Sequence, residues 1–210
     1  MRVIIACECS GRVREAFRKL GHDAWSCDLL PAEDGSPYHY QCDIRDVLGR
    51  GWDLMIAHPD CTYLCRSGLH WNARGVLVDG RPRQELTEEA LDFVRMLMDA
   101  PIPRIALENP VGCISTRIRK PNQIIQPYEY GDNASKKTCL WLKGLPPLKP
   151  TRRVAGRMVM HNGRQVERWE NQTDSGQNKL PPSADRWKDR ARTYQGWADA
   201  MSAQWGGLNP

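Results

Sequence analysis

Asp53-Leu54-Met55-Ile56-Ala57-His58-Pro59-Asp60-Cys61 is a short apolar run closed by a polar, proline-containing turn. A run this brief, bounded by turn formers, has the length of a strand rather than a helix. It predicts a strand that delivers a cysteine at the carboxyl edge of a sheet. About fifty residues on, Arg104-Ile105-Ala106-Leu107-Glu108-Asn109-Pro110 repeats the pattern and ends in an acid and an amide. These two strand ends anchor the reading of the whole chain.

Strand and helix signals alternate on either side of them. Residues 3–7 form a β-rich run, followed by a Ser10-Gly11 turn and an amphipathic segment over 13–20 that stops at Gly21. Short strands are predicted at 23–28 and 38–43, each ending in an acid, and at 53–57. Leu86, Ala90, Phe93, Val94, Leu97 and Met98 recur at helical spacing, which predicts a helix over 85–98. Further strands are expected at 104–108, 123–130 and 137–142. Strands separated by helices imply an α/β fold with a mostly parallel sheet, flanking helices and a ligand crevice at the strands' carboxyl ends. From residue 149 the texture changes: 149–182 is rich in Arg, Gly, Asn, Gln and Pro, with no clean period. Helical character returns through Trp187, Tyr194, Trp197, Ala198, Met201 and Trp205. The expected organisation is a core at 1–148, a small basic excursion at 149–182 and a closing helix at 183–210 that packs back on the core.

Two hundred and ten residues suffice for one domain with a full core. No stretch approaches the roughly 18 apolar residues of a membrane span, and the first residues read as a strand rather than an export signal. The eight cysteines lack paired spacing, so reduced thiols in the cytoplasm are expected. Charge is unevenly divided. Residues 1–116 carry 13 Lys/Arg against 17 Asp/Glu, a net −4, while 117–210 carry 17 against 8, a net +9. A basic half beside a near-neutral one suits a polyanionic partner. Arg117, Arg119, Arg152, Arg153 and Arg157 are its candidate phosphate contacts.

Cysteine is partly ionised near neutral pH and attacks electron-poor carbon well, which makes Cys61 the candidate nucleophile and Glu108 a candidate acid. His58, Cys61, Cys65 and His70 are close in sequence, but their spacing is not a usual zinc pattern, and no metal is expected.

Taken in order, these strand ends resemble the DNA cytosine-5 methyltransferase family over nearly the whole chain, in the compact form carried by phages. The resemblance implies a Rossmann-like fold that binds S-adenosylmethionine and acts on cytosine in DNA. Cys7, Glu8, Ser10 and Gly11 fall on the family's methyl-donor loop. Asp28 falls where an acid meets the ribose hydroxyls, Asp43-Ile44 where the adenine is held, and Pro59 and Cys61 on the proline–cysteine loop. Glu108-Asn109 matches the glutamate–asparagine motif, and Lys136-Lys137 lies where a basic residue approaches the cytosine carbonyl. The resemblance implies that Cys61 adds to carbon 6 of the ring, Glu108 serves ring nitrogen 3, and the methyl group goes to carbon 5. Two departures stand out. Asp60 precedes the cysteine where the family has proline, and 149–182 is much shorter than the family's DNA-reading domain. The same chemistry on RNA or a free pyrimidine nucleotide, and a catalytically inactive DNA-binding homologue, are the alternative readings.

Overall fold

Arg2–Ala6 (β1) is apolar at four consecutive positions because it is covered on both faces. Val3 and Ile5 point into one layer, and Ile4 and Ala6 into the other. The computed structural model describes residues 1–183 and 186–208. After β1 come α1 (Arg12–Lys19), β2 (Asp23–Asp28), β3 (His39–Gln41), β4 (Leu54–Ala57) and α2 (Arg66–Ala73). A two-stranded ribbon, β5 (Leu77–Val78) and β6 (Arg81–Pro82), leads into α3 (Arg83–Met98), β7 (Arg104–Pro110) and α4 (Ile114–Arg117). Then follow β8 (Gln123–Ile125), β9 (Thr138–Lys143), a hairpin of β10 (Arg157–His161) and β11 (Arg164–Arg168), α5 (Arg186–Ala191) and α6 (Gln195–Trp205).

The main sheet has seven strands in the order β3-β2-β1-β4-β7-β9-β8. The first five are parallel, and β9 runs antiparallel to both its neighbours. With helices on both faces, this is a mostly parallel, Rossmann-like α/β arrangement. On one face, Leu91, Val94 and Leu97 of α3 cover Ile4, Met55, Leu107 and Trp141. On the other, Phe17 of α1 and Trp197, Met201 and Trp205 of α6 cover Val3, Ile5, Leu54 and Ile56. Strand order reverses at β1, which has β2 on one side and β4 on the other; the crevice at such a switch point is where α/β sheets take ligands.

Several predicted elements are trimmed for local reasons. The run at 123–130 is a strand only to Ile125, because Pro127 opens a 3-10 turn at Pro127–Glu129. The run at 38–43 ends early because the Asp43 side chain accepts from the Arg45 amide and caps another such turn. Within 149–182, which shows no period in sequence, Asn162 and Gly163 both adopt positive φ (51° and 72°) and close the β10–β11 hairpin. Beyond it, α6 packs on the α1 side of the sheet, with Tyr194 as its N-cap; residues 184, 185, 209 and 210 lie outside the described residues. No helix among the described residues is long and apolar enough to cross a membrane.

Trp205 is fully buried, and its indole N–H donates to the Pro146 carbonyl at 3.0 Å. Trp205→Ala is expected to lower unfolding free energy by about 3–5 kcal/mol, read from the urea midpoint, through the cavity it leaves under the sheet.

Candidate active site

The carboxyl ends of β1, β4 and β7 lie side by side, because these strands are paired in parallel register. Each is followed by a turn, so three short loops converge on one edge.

Past β1 the chain turns sharply. Cys7 sits at φ 59°, and the amides of Cys7 and Glu8 both donate to the Cys27 carbonyl (2.8 and 3.3 Å). Glu8 is buried; one carboxylate oxygen accepts from Ser10 Oγ (3.1 Å) and the Val13 amide (2.9 Å), and the other has no partner. Gly11 must be glycine: its φ is 71°, and a Cβ there would fall on the Arg14 guanidinium and 2.8 Å from an Asp34 carboxylate oxygen. Burial pushes the Cys7 thiol up to about 12, and Asp28, Asp43 and Asp60 add to the effect against Arg45. Carboxylates that follow three different strands therefore share the rim of this turn. Asp28 spends one oxygen on the Leu30 amide (2.9 Å), and Asp43 is engaged with the Arg45 amide and guanidinium (2.9 and 2.7 Å). Ile44 is buried and packs with the α3-side core.

Past β4 the chain is held on both sides. The His58 amide donates to the Ala6 carbonyl (2.9 Å), and the buried Pro59 offers its carbonyl to Asn109 Nδ2 (2.8 Å). Asp60 is exposed and accepts from the Thr62 amide (3.0 Å) and hydroxyl (2.7 Å) through one oxygen, which closes a single turn from Cys61 to Cys65. The amides of Leu64 and Cys65 both donate to the Cys61 carbonyl at 3.0 Å. Cys65 beside it, partial burial and the charges of Asp60 and Glu108 push the Cys61 thiol well above the ordinary thiol range. Cys65 goes the other way. The Cys61 thiol, the Ser67 hydroxyl and the amides of Gly68 and Ser67 outweigh burial and bring it down to about 5.

At the end of β7, Glu108 and Asn109 are both buried. His58 Nδ1 lies 3.0 Å from one Glu108 carboxylate oxygen, while the other oxygen, His58 Nε2 and Asn109 Oδ1 have no protein partner. Burial alone would raise the Glu108 carboxyl; Lys136, His58 and the Thr138 hydroxyl together overcome it and hold the group below the usual range. The structure thus brings Cys61, Glu108, Asn109 and Lys136 to one place. The Lys136 ammonium also donates to the Arg190 carbonyl (3.0 Å), whereas Lys137 is exposed and acts on Cys139 instead. His58 and Cys65 belong to this constellation although sequence reasoning weighed them only as metal ligands. Their positions directly before Pro59 and one helical turn after Cys61 were the available signals.

The arginines expected to hold phosphates are all engaged internally. Arg117 pairs with Glu88 (2.8 Å), Arg119 with Asn122 (2.8 Å) and the Leu142 carbonyl, and Arg152 with the Gly131 carbonyl (3.1 Å). Arg153 pairs with Glu167 (2.6 Å), and Arg157 with Asp174 (2.7 Å) and the carbonyls of Trp169 and Gln172. All five remain exposed, as do Met160, Arg164 and Gln165 near the turn of the hairpin.

No protein-family model matches the sequence, and no curated protein matches it. Among solved structures, one similar chain is described as a "putative DNA modification methyltransferase encoded within prophage" of E. coli. The two are 14% identical with a TM-score of 0.42; the likeness covers 68% of this chain and 46% of the other, so the present chain matches about half the length of that protein.

Two outcomes follow from this geometry. A Cβ at Gly112 would lie 1.9 Å from the Leu64 carbonyl oxygen, so Gly112→Ala should displace the Cys61–Cys65 turn. Alkylation of Cys61 and Cys65 should change while far-ultraviolet circular dichroism does not. Because Glu108 is held below its unfolded-state value of about 4.3, it stabilises the fold above that pH, and the contribution is lost as pH falls through the lower, folded value. Glu108→Gln should flatten the acid limb of a stability–pH curve and leave the neutral limb parallel to wild type.

Proposed function

We propose that this protein transfers a methyl group from S-adenosylmethionine to carbon 5 of cytosine in DNA through a covalent Cys61 adduct. The observation that carries the reading is the junction of the β4 and β7 ends. There a thiol and a buried carboxylate are tied into one unit by the His58–Glu108 and Asn109–Pro59 contacts.

The donor side fits a cationic ligand with hydroxyl groups. The buried Glu8 oxygen lacks a partner, and Asp28, Asp43 and Asp60 face the Cys7 turn. When bound there, S-adenosylmethionine supplies an electrophilic methyl group. The protein's own residues supply the rest. Cys61 as thiolate forms a bond to carbon 6 of the ring, and the displaced electron pair moves to carbon 5 and toward nitrogen 3 and the ring carbonyl. Glu108, with one oxygen held by His58 and the other unpartnered, is placed to hold the proton at nitrogen 3. Lys136, rather than Lys137, is the cation beside that carboxylate. Asn109 fixes the Pro59 carbonyl and with it the path of the cysteine loop. After methyl transfer, loss of the carbon-5 proton restores the ring double bond and expels the Cys61 thiolate. In duplex DNA the target base must be flipped out to reach this edge.

The β10–β11 hairpin is the element placed to meet DNA. A two-stranded ribbon fits the major groove, and Arg164 and Gln165 are exposed where it turns. Arg164→Ala should weaken DNA binding and lower the salt slope by about 1. Binding that shows no salt dependence would favour a free nucleotide substrate instead.

The defining experiment incubates the protein with S-adenosylmethionine and DNA carrying 5-fluorocytosine, whose fluorine cannot leave as a proton does. A covalent protein–DNA complex is expected with wild type and none with Cys61→Ser. Unmodified DNA should yield a new methylated cytosine in nucleoside mass spectrometry. Absence of both products from folded protein would refute the assignment.

A further inference from the structure

The arginines of the basic half are taken up internally, but α2, in the other half of the chain, carries cations that are not. Its Gly68, Leu69 and Asn72 are half-buried: Leu69 packs on the α3-side core, and Asn72 Nδ2 donates to the Thr87 hydroxyl of α3 (2.9 Å). Arg66, Ser67, His70 and Trp71, with Arg74 just past the helix, recur at the spacing of one helical face, and all of them are exposed. That face begins just beyond the Cys61–Cys65 turn, and the Arg66 amide on the Val111 carbonyl fixes it beside the end of β7.

No acid occurs between Asp60 and Asp79, and neither Arg66 nor Arg74 has an ion pair among the described residues. The acids of the adjoining α3 are spent elsewhere, Glu85 and Glu89 on Arg81 and Glu88 on Arg117. A third cation lies behind the helix. Arg83 is buried, donates to the Thr62 carbonyl (2.6 Å), lies 4.7 Å from the Tyr63 ring and keeps one guanidinium nitrogen without a partner. Gly68 leaves room for it, since a Cβ there would collide with the guanidinium. An aromatic ring is set into this positive field. Trp71 is 42% exposed, with the His70 ring 4.4 Å away between centroids and the Arg74 guanidinium at 5.2 Å. A large ring left in water among cations without carboxylate partners suits an unpaired nucleic-acid strand, whose bases stack on the ring while the cations follow its phosphates.

We propose that the exposed face of α2 binds single-stranded DNA, an inference that rests on the methyl-transfer reading above and names the form of its substrate. Trp71 stacks on a base beside the target cytosine, and Arg66 and Arg74 take neighbouring phosphates. Bases in a duplex are already stacked on both faces, so Trp71 has no ring to cover there until the strand is opened. In a single strand the target cytosine needs no unpairing to reach the Cys61–Glu108 edge, and a neighbouring base is free to stack. Such a surface holds the strand without reading its sequence, which fits a chain whose excursion at 149–182 is short.

Fluorescence anisotropy with one labelled cytosine-containing oligonucleotide, single-stranded or annealed to its complement, tests this at fixed salt. Wild type is expected to bind the single strand about 10-fold more tightly than the duplex. Trp71→Ala should lose about 10-fold on the single strand alone, and Trp71→Phe, which keeps a ring, should retain most of the preference. Arg66→Ala and Arg74→Ala should each lower the single-strand salt slope by about 0.7. All three side chains are exposed, so the variants should keep the wild-type circular dichroism spectrum. Single-strand affinity unchanged in Trp71→Ala, or weakened equally for both forms of DNA, overturns the proposal. The two readings fail separately. Methylated cytosine from a protein whose single-strand affinity ignores Trp71 sinks the α2 surface and keeps methyl transfer. A Trp71-dependent preference for the single strand with no methylated product keeps the α2 surface and refutes methyl transfer.

Discussion

A buried carboxylate at the end of a central strand is the constraint around which this edge is built. Glu108 is ionised in a setting where burial alone favours its neutral form, so it must be compensated. His58 and Lys136 supply the compensation from two other segments, and both can do so only if β4 and β9 sit beside β7 in one register. The Asn109–Pro59 bond locks the same register at the next residue. What holds the charge also holds the cysteine loop, because His58 and Pro59 lead directly into Cys61. Fold and site are thus joined through a few hydrogen bonds rather than through a separate scaffold.

The unusual Asp60 takes on a structural role in this setting. Its carboxylate accepts both the amide and the hydroxyl of Thr62, which is how short polar side chains start a turn. That turn orients Cys61 and brings Cys65 one helical step behind it. The cost is a negative charge near the nucleophile.

The basic half of the chain illustrates how far charge counting can be carried. Its arginines largely fasten loops that lack apolar residues of their own: Arg157 gathers Asp174 and two carbonyls, and Arg153 ties Glu167 across the hairpin base. Cohesion there comes from charge-assisted bonds and from Trp169, which stacks on Tyr128 with ring centroids 3.9 Å apart. The excess of positive charge remains a property of the surface field, to which exposed Lys120, Lys137, Lys149, Lys179 and Arg164 contribute.

Much of the fold was legible in the sequence because apolar runs such as 3–6 and 54–57 have strand length and end in polar turns, and the helix over 85–98 carries an unbroken period. The acids and the cysteine at strand ends were legible for the same reason: the carboxyl edge of a parallel sheet is where such residues gather. Pairings across about fifty residues were not. Whether His58 meets Glu108, whether Asn109 meets Pro59 and whether Arg117 meets Glu88 depend on which surfaces the packed layers bring together. The hairpin at 157–168 was also hidden, since an exposed ribbon needs no buried face and so leaves no alternating pattern to read. The sequence by itself determined where the strands of the main sheet run and which residue types stand at their ends. Only the tertiary structure decided which of those groups are partners, because a side chain's environment is set by neighbours distant in the chain.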